Sequence, residues 1–170
     1  MIINRMWAMP SHETFSIKPI KELLNRYCME GMNIVDPFAR NNTVANITND
    51  LDLDTDAIFH LDANVFLSKL QSNYFDILLF DPPYSTRQLV EVYKKRELSV
   101  TTQTTKTDYW TRMKKSATRI VKPGGHVISF GWNTVGMGKK NGFIQLEILI
   151  VSHGGMRNDT LVTVEKKIKL

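Results

Sequence analysis

An α/β fold, with a mostly parallel seven-stranded sheet ending in a C-terminal antiparallel hairpin, is predicted by three observations on this 170-residue chain. Short apolar segments alternate with segments of helical spacing along most of its length, the pattern of strands joined by crossover helices. One of them, Phe75 to Phe80, is largely apolar, as a strand covered on both faces must be, and runs straight into Asp81-Pro82-Pro83-Tyr84. Two long apolar segments close the chain, separated by a single Gly-rich stretch.

Residues 17–28 place Ile20, Leu23, Leu24, Tyr27 and Cys28 at helical spacing, with Pro19 in the first turn and Gly31 closing the helix. MNIVDPFA (32–39), ANITNDLD (45–52) and AIFHLDA (57–63) read as three strands, the last followed by a short helix, NVFLSKLQ. YFDILLFD (74–81) is the fourth strand, and two prolines end its ladder because neither carries a backbone N–H. The Thr-rich stretch 98–108 reads as a mobile loop. Asp108 then caps a helix carrying Trp110, Met113, Ala117, Ile120 and Val121, terminated by KPGG (122–125). HVISFGW (126–132) is the fifth strand. FIQLEILIVS (143–152) and TLVTVEKKI (160–168) form the terminal hairpin around HGGMRND (153–159).

The bulk properties narrow the class. A chain of this length holds one domain with a real core. No apolar stretch approaches the ~20 residues of a membrane span, and MIINRMWAMPSH lacks the apolar centre of a signal peptide. The single cysteine, Cys28, excludes an intrachain disulfide and a cysteine-rich zinc site, so a reducing cytoplasm is the expected setting. A net charge of +5 suits a phosphate-rich partner. Between Arg87 and Lys122 ten basic residues, Lys94 and Lys95 among them, face only Glu91, Glu97 and Asp108. That window reads either as a solvated helix face or as a nucleic-acid backbone footprint.

Three successive predicted strands end in acidic residues, Asp36, Asp50 with Asp52, and Asp62, and Asp81 ends the fourth. Aspartate is common in turns, so one alone carries nothing. Four at corresponding ends of neighbouring strands line one crevice, at the place where open α/β sheets bind ligands. Carboxylates there accept hydrogen bonds from ribose hydroxyls and purine amino groups. No histidine, cysteine or repeated acidic spacing accompanies them, so no metal is expected.

Three motifs, in order, carry a resemblance: Lys18-Pro19-Ile20-Lys21-Glu22-Leu23-Leu24 preceded by Phe15, then DPFARNNT (36–43), then Asp81-Pro82-Pro83-Tyr84. Over roughly residues 11–132 the chain resembles the amino-group DNA methyltransferases, which use S-adenosylmethionine to methylate adenine N6 or cytosine N4. The resemblance implies a Rossmann-like class I methyltransferase fold in a single catalytic domain spanning 1–170. It also implies catalytic roles for Asp81, Pro82, Pro83 and Tyr84, and cofactor contacts from Phe15, Lys18, Asp36, Pro37, Phe38, Asp50 and Asp62. DNA is the implied substrate, with N6 of adenine as the methyl acceptor.

The chain also departs from that family. Arg40-Asn41-Asn42 stands where glycines are usual, and the 12 positions from Phe38 to Asp50 leave a stub in place of a helix. Only 19 positions separate Asp62 from Asp81, too few for a target-recognition domain, so a separate specificity subunit or homo-oligomer is an expected partner. Candidate substrate contacts are Arg87, Lys94, Lys95, Trp132, His153 and Arg157. Against these, Trp132 reads equally as packing, 153–159 as an ordinary turn, and Trp7 as a cofactor cover or an anchor of the N-terminus. Gly136-Met137-Gly138-Lys139-Lys140 reads as a flexible basic turn ahead of a phosphate loop. Two other functions compete: an RNA base amino-group methyltransferase, and a catalytically weakened binding or regulatory module.

Overall fold

A computed structural model of the chain describes residues 1–83 and 107–168. Strands β1 (Ile2–Trp7), β2 (Ile34–Asp36), β3 (Ile47–Thr48), β4 (Phe75–Phe80), β5 (Val121–Gly131), β6 (Phe143–Ser152) and β7 (Thr160–Lys167) form one sheet. Their order is β1-β6-β7-β5-β4-β2-β3, and only β7 runs antiparallel to its neighbours. The mostly parallel α/β sheet with its β6–β7 hairpin is therefore as expected.

Helices cover both faces. Helix α1 (Lys18–Tyr27) buries Ile20, Leu23 and Leu24 against Ile34, Ile77, Leu79 and Ile128. Helices α2 (Ala63–Lys69) and α3 (Thr107–Ile120) bury Phe66, Leu67, Met113 and Ala117 against Val35, Leu78, Phe80 and Val127 on the opposite face. Alternation along β4 thus feeds both layers, which is why Phe75–Phe80 is apolar at nearly every position. Helix α1 is also tied down electrostatically. Glu147 of β6, only 1% exposed, accepts from Arg26 at 2.6 Å, Tyr27 at 3.0 Å and Asn4 at 3.4 Å.

Seven strands are found, but not the expected seven. Residues 57–63 form no strand; they meet the sheet through an isolated bridge, Asn49 to Phe59, and the Ile58 N–H, which donates to the Thr48 hydroxyl at 3.0 Å. The seventh is β1, which among the described residues pairs only with β6 and exposes every side chain. The KPGG segment does not follow the helix as a terminator. It lies inside β5, where the register against β4 slips between Phe75 and Ile77, and Asp108 falls inside α3 rather than ahead of it.

Gly136-Met137-Gly138 wraps an internal carboxylate. Glu165 of β7 is fully buried and accepts the N–H of Met137 at 2.5 Å and of Gly138 at 2.9 Å, while Lys114 Nζ donates to the Gly136 carbonyl at 2.6 Å. Burial lifts the Glu165 carboxyl above its ordinary range, and the two N–H donors act against that. These amides therefore hold a side chain of the protein itself. Gly136 has φ +54°, and a Cβ there would collide with the Glu165 carboxylate. Gly136→Ala is expected to cost about 2–3 kcal/mol through left-handed strain and loss of the carboxylate's donors. Urea unfolding measures this directly.

Candidate active site

The chain passes from β2 outward to β3, then returns across β2 to β4, so the strand order reverses between β2 and β4. A crevice opens at the carboxyl ends of two parallel strands that part in this way. Asp36 ends β2, and Asp81-Pro82-Pro83 follows β4. Two rings join the strand ends: Phe38 meets Phe80 edge to face at 5.7 Å between centroids.

Asp36 is wholly buried. Its Oδ1 accepts the N–H of Phe38 at 2.8 Å and its Oδ2 the amide of Asn42 at 2.9 Å. Burial raises its carboxyl to about 7; the two donors oppose the rise, and the neighbouring Asp81 and Asp50 carboxylates add to it. The folded state therefore binds this proton more tightly than the unfolded chain does. The stabilisation is complete below the ordinary aspartate range and is lost as pH rises towards 7. The stability difference between wild type and Asp36→Asn is expected to change across that window and to level off above it, as read by urea unfolding at a series of pH values.

The glycine-poor loop after β2 keeps a tight turn by other means. Arg40, not an asparagine, takes the left-handed conformation at φ +49°. Its N–H donates to Asp50 Oδ2 at 3.0 Å, and its guanidinium reaches the His12 carbonyl at 3.1 Å, drawing the segment before α1 onto the loop. Asp50 Oδ1 accepts the N–H of Asp52 at 2.8 Å. Each carboxylate oxygen has a second lone pair for a ligand hydroxyl.

Behind the loop stands Asn49, fully buried. Its amide donates to the carbonyls of Pro37 at 3.1 Å and Leu61 at 3.0 Å, and its Oδ1 accepts the N–H of Leu61 at 3.0 Å. One side chain thus sets the 36–39 turn against residues 61–62. Asp62 ends no strand; it caps α2, its Oδ1 accepting from the N–H groups of Asn64 and Val65, and its Oδ2 accepts the Tyr109 hydroxyl at 3.1 Å. Asn49 and Tyr109 carry no motif that marks them in the sequence. Arg40 was visible there only as a missing glycine, and nothing in a single sequence marks Asn49 as buried.

Asp50 and Asp81 lie close enough to Asp36 to act on its carboxyl, and Pro37 and Phe38 form the turn that Asp36 begins. Lys18 is exposed at the first position of α1, and Phe15, three residues after the His12 carbonyl that Arg40 holds, is buried against Phe130 with centroids 4.8 Å apart. Trp132 and Arg157 line one concavity of about 410 Å³ with Asn158, Asp159 and Leu161. The expectation for His153 is corrected. Its ring is buried, with Nδ1 at 2.8 Å from the Ala8 carbonyl and Nε2 at 2.8 Å from the Thr160 hydroxyl, so it fastens the exit of β1 to the start of β7. Tyr84, Arg87, Lys94 and Lys95 lie outside the described residues, as does the stretch 98–106. Among the described residues, no helix is long and apolar enough to cross a membrane, and no cluster of three His, Cys, Asp or Glu side chains could hold a metal ion.

No family model matches the chain, and no curated protein matches it in sequence. Solved structures do match. TrmN from Thermus thermophilus superposes with a TM-score of 0.57 at 18% identity, over 89% of this chain and 49% of that one. The 1,6-didemethyltoxoflavin-N1-methyltransferase of Burkholderia thailandensis, solved with S-adenosylhomocysteine, gives 0.59 at 11% identity over 89% and 78% of the two chains. A SAM-dependent methyltransferase from Methanosarcina mazei gives 0.57 at 10% identity over 87% and 98%. At such identities the likeness is one of fold: this is a Rossmann-like class I methyltransferase fold. The chain spans about half the length of TrmN.

Proposed function

We propose that this chain is an S-adenosylmethionine-dependent methyltransferase acting on a nucleobase amino group, with adenine N6 in DNA as the acceptor. The observation that carries the reading is the placement of Asp36-Pro37-Phe38 and Asp81-Pro82-Pro83 at adjacent strand ends, on the two sides of the switch-point crevice.

The residues fit such a cofactor. Carboxylates accept and never donate when ionised, which suits ribose hydroxyls, an adenine amino group and a positively charged sulfur. Asp50 would hold the ribose hydroxyls, Asp62 the cofactor's adenine amino group, and Asp36, Pro37 and Phe38 the methionine side. Lys18 and Phe15 belong to the segment that covers it. When bound, the cofactor supplies an electrophilic methyl group on that sulfur.

The protein's task is to make a poor nucleophile competent. An exocyclic amine delocalises its lone pair into the base ring, and the transition state needs that pair turned outward. Asp81 and the Pro82 carbonyl accept the two N–H bonds and so favour a pyramidal nitrogen. Pro83 stiffens the backbone in advance, so little reorganisation remains for the reaction itself. Tyr84 stacks on the base, which a duplex would have to extrude. A separate specificity subunit, or self-association, would supply target recognition.

The test is transfer from methyl-labelled S-adenosylmethionine to unmethylated duplex DNA, single-stranded DNA and RNA, followed by nucleoside analysis. Label in N6-methyldeoxyadenosine is the expected result. Label in RNA alone would replace the substrate assignment, and label in no nucleic acid would overturn it.

A further inference from the structure

Strand order also dictates what continues the carboxyl-end rim beyond Asp81. Moving outward from β4, the rim is built by the end of β5 with Trp132, the start of β7, the end of β6 with its turn 153–159, and the end of β1 with Trp7. At about 4.8 Å per strand, Trp132 stands one strand from Asp81, and Trp7 lies three strands further, about 14 Å on.

The rim's side chains share a chemistry. Trp132 is 47% exposed and lines the concavity that also holds Arg157, which is exposed. Asp159, the carboxylate there, is engaged by the Ser152 hydroxyl at 3.1 Å and by Arg5 at 3.9 Å. Trp7 is 65% exposed, and its indole lies against the same turn, close enough that a Cβ on Gly154 would meet Nε1 at 3.4 Å. Among the described residues, two exposed indoles and an exposed arginine therefore share this rim. A small-molecule site would be a mostly apolar pocket enclosing its ligand. Aromatic faces interleaved with cations are what a single nucleic-acid strand requires, bases on the rings and phosphates on the charges.

We infer that the rim from Trp132 through Arg157 to Trp7 is a track for single-stranded nucleic acid, carrying the nucleotides that flank the base presented to Asp81. Trp132 stacks on the neighbouring base, Arg157 meets a phosphate, and Trp7 stacks further along. This gives the outer strand β1 a function, because it carries Trp7 to the rim. The orientation towards Asp81 rests on the amino-group reading above; the track itself does not.

The experiment is fluorescence anisotropy with a labelled oligodeoxythymidylate, which has no exocyclic amino group and so reports binding apart from transfer. The oligomer is expected to bind, and Trp7→Ala and Trp132→Ala are each expected to weaken it about 5- to 100-fold, the loss of one base–aromatic stack. Trp7→Phe should restore most of the affinity. Arg157→Gln should lower the slope of log affinity against log salt by about 0.7, with Arg157→Lys retaining it. Unchanged thermal unfolding of Trp7→Ala would separate lost binding from lost fold.

An oligomer that binds no better than thymidine monophosphate, or a duplex that binds as well and ignores Trp7→Ala, would overturn the track. Methyl transfer to DNA with no effect of Trp7→Ala on oligomer binding would also overturn it while leaving the amino-group reading intact. Oligomer binding with the stated variant effects, but transfer to no nucleic acid, would support the track and remove that reading.

Discussion

Asp81→Ala is expected to lower methyl transfer about 10²–10³-fold, the loss seen when one preorganised polar group is withdrawn from a reacting centre. The effect should fall on the maximal rate, because an acceptor for the amino protons acts most strongly once the nitrogen has begun to pyramidalise. Asp81→Asn keeps one neutral acceptor and should lose less. A second signature is independent of turnover. The Asp81 carboxylate is one of the charges that raise Asp36, so the Asp36 titration near 7 should move down when Asp81 is removed. Carboxyl-selective NMR on the two proteins reads that shift, and an unmoved Asp36 would mean that the strand ends are not neighbours.

The largest effect on stability is expected at Asn49. Truncation to alanine removes a side chain with no solvent exposure of its own and leaves the Leu61 N–H and the Pro37 and Leu61 carbonyls without it. A buried group left unsatisfied costs about 1–3 kcal/mol, so a total of about 3–5 kcal/mol is expected. In a domain of this size that lowers the melting temperature by roughly 10 °C. Asn49→Asp has almost the same shape but points a carboxylate at two carbonyls. It should be comparably destabilising at neutral pH and recover in part when acidified, because the protonated form regains a donor. Scanning calorimetry at two pH values distinguishes this from a loss of packing. A fall in cofactor affinity should accompany the loss, since Asn49 sets the 36–39 turn against Leu61.

What could be read from the sequence was whatever leaves a periodic or a motif trace. Strand β4 is legible because two helical layers demand apolar residues at nearly every position, and α1 because one face alone is apolar. The strand ends at Asp36 and Asp81 were legible for the same reason: an apolar run stops at a turn residue. Strand β1 was not, because an outer strand with every side chain exposed has no burial pattern to display. Residues 57–63 misled in the opposite sense. Ala57, Ile58 and Phe59 look like a strand, yet the backbone makes one bridge and then spends Asp62 on capping α2. His153 misled because a histidine in a Gly-rich turn looks available, whereas this one is held by two elements distant in sequence from each other. Asn49 and Arg40 belong to a third kind. Their importance lies in hydrogen bonds to backbone groups that only the folded chain brings near.

The proposed function divides labour across the crevice, with the cofactor on the Asp36–Asp50 side and the amino group on the Asp81 side. Calorimetric titration with S-adenosylhomocysteine tests it most directly. The wild-type protein should bind, Asp50→Ala should bind at least about tenfold more weakly through the loss of a charged acceptor, and Asp81→Ala should bind as the wild type does. Absence of binding by the wild type, or equal losses from Asp50→Ala and Asp81→Ala, would rule out that division.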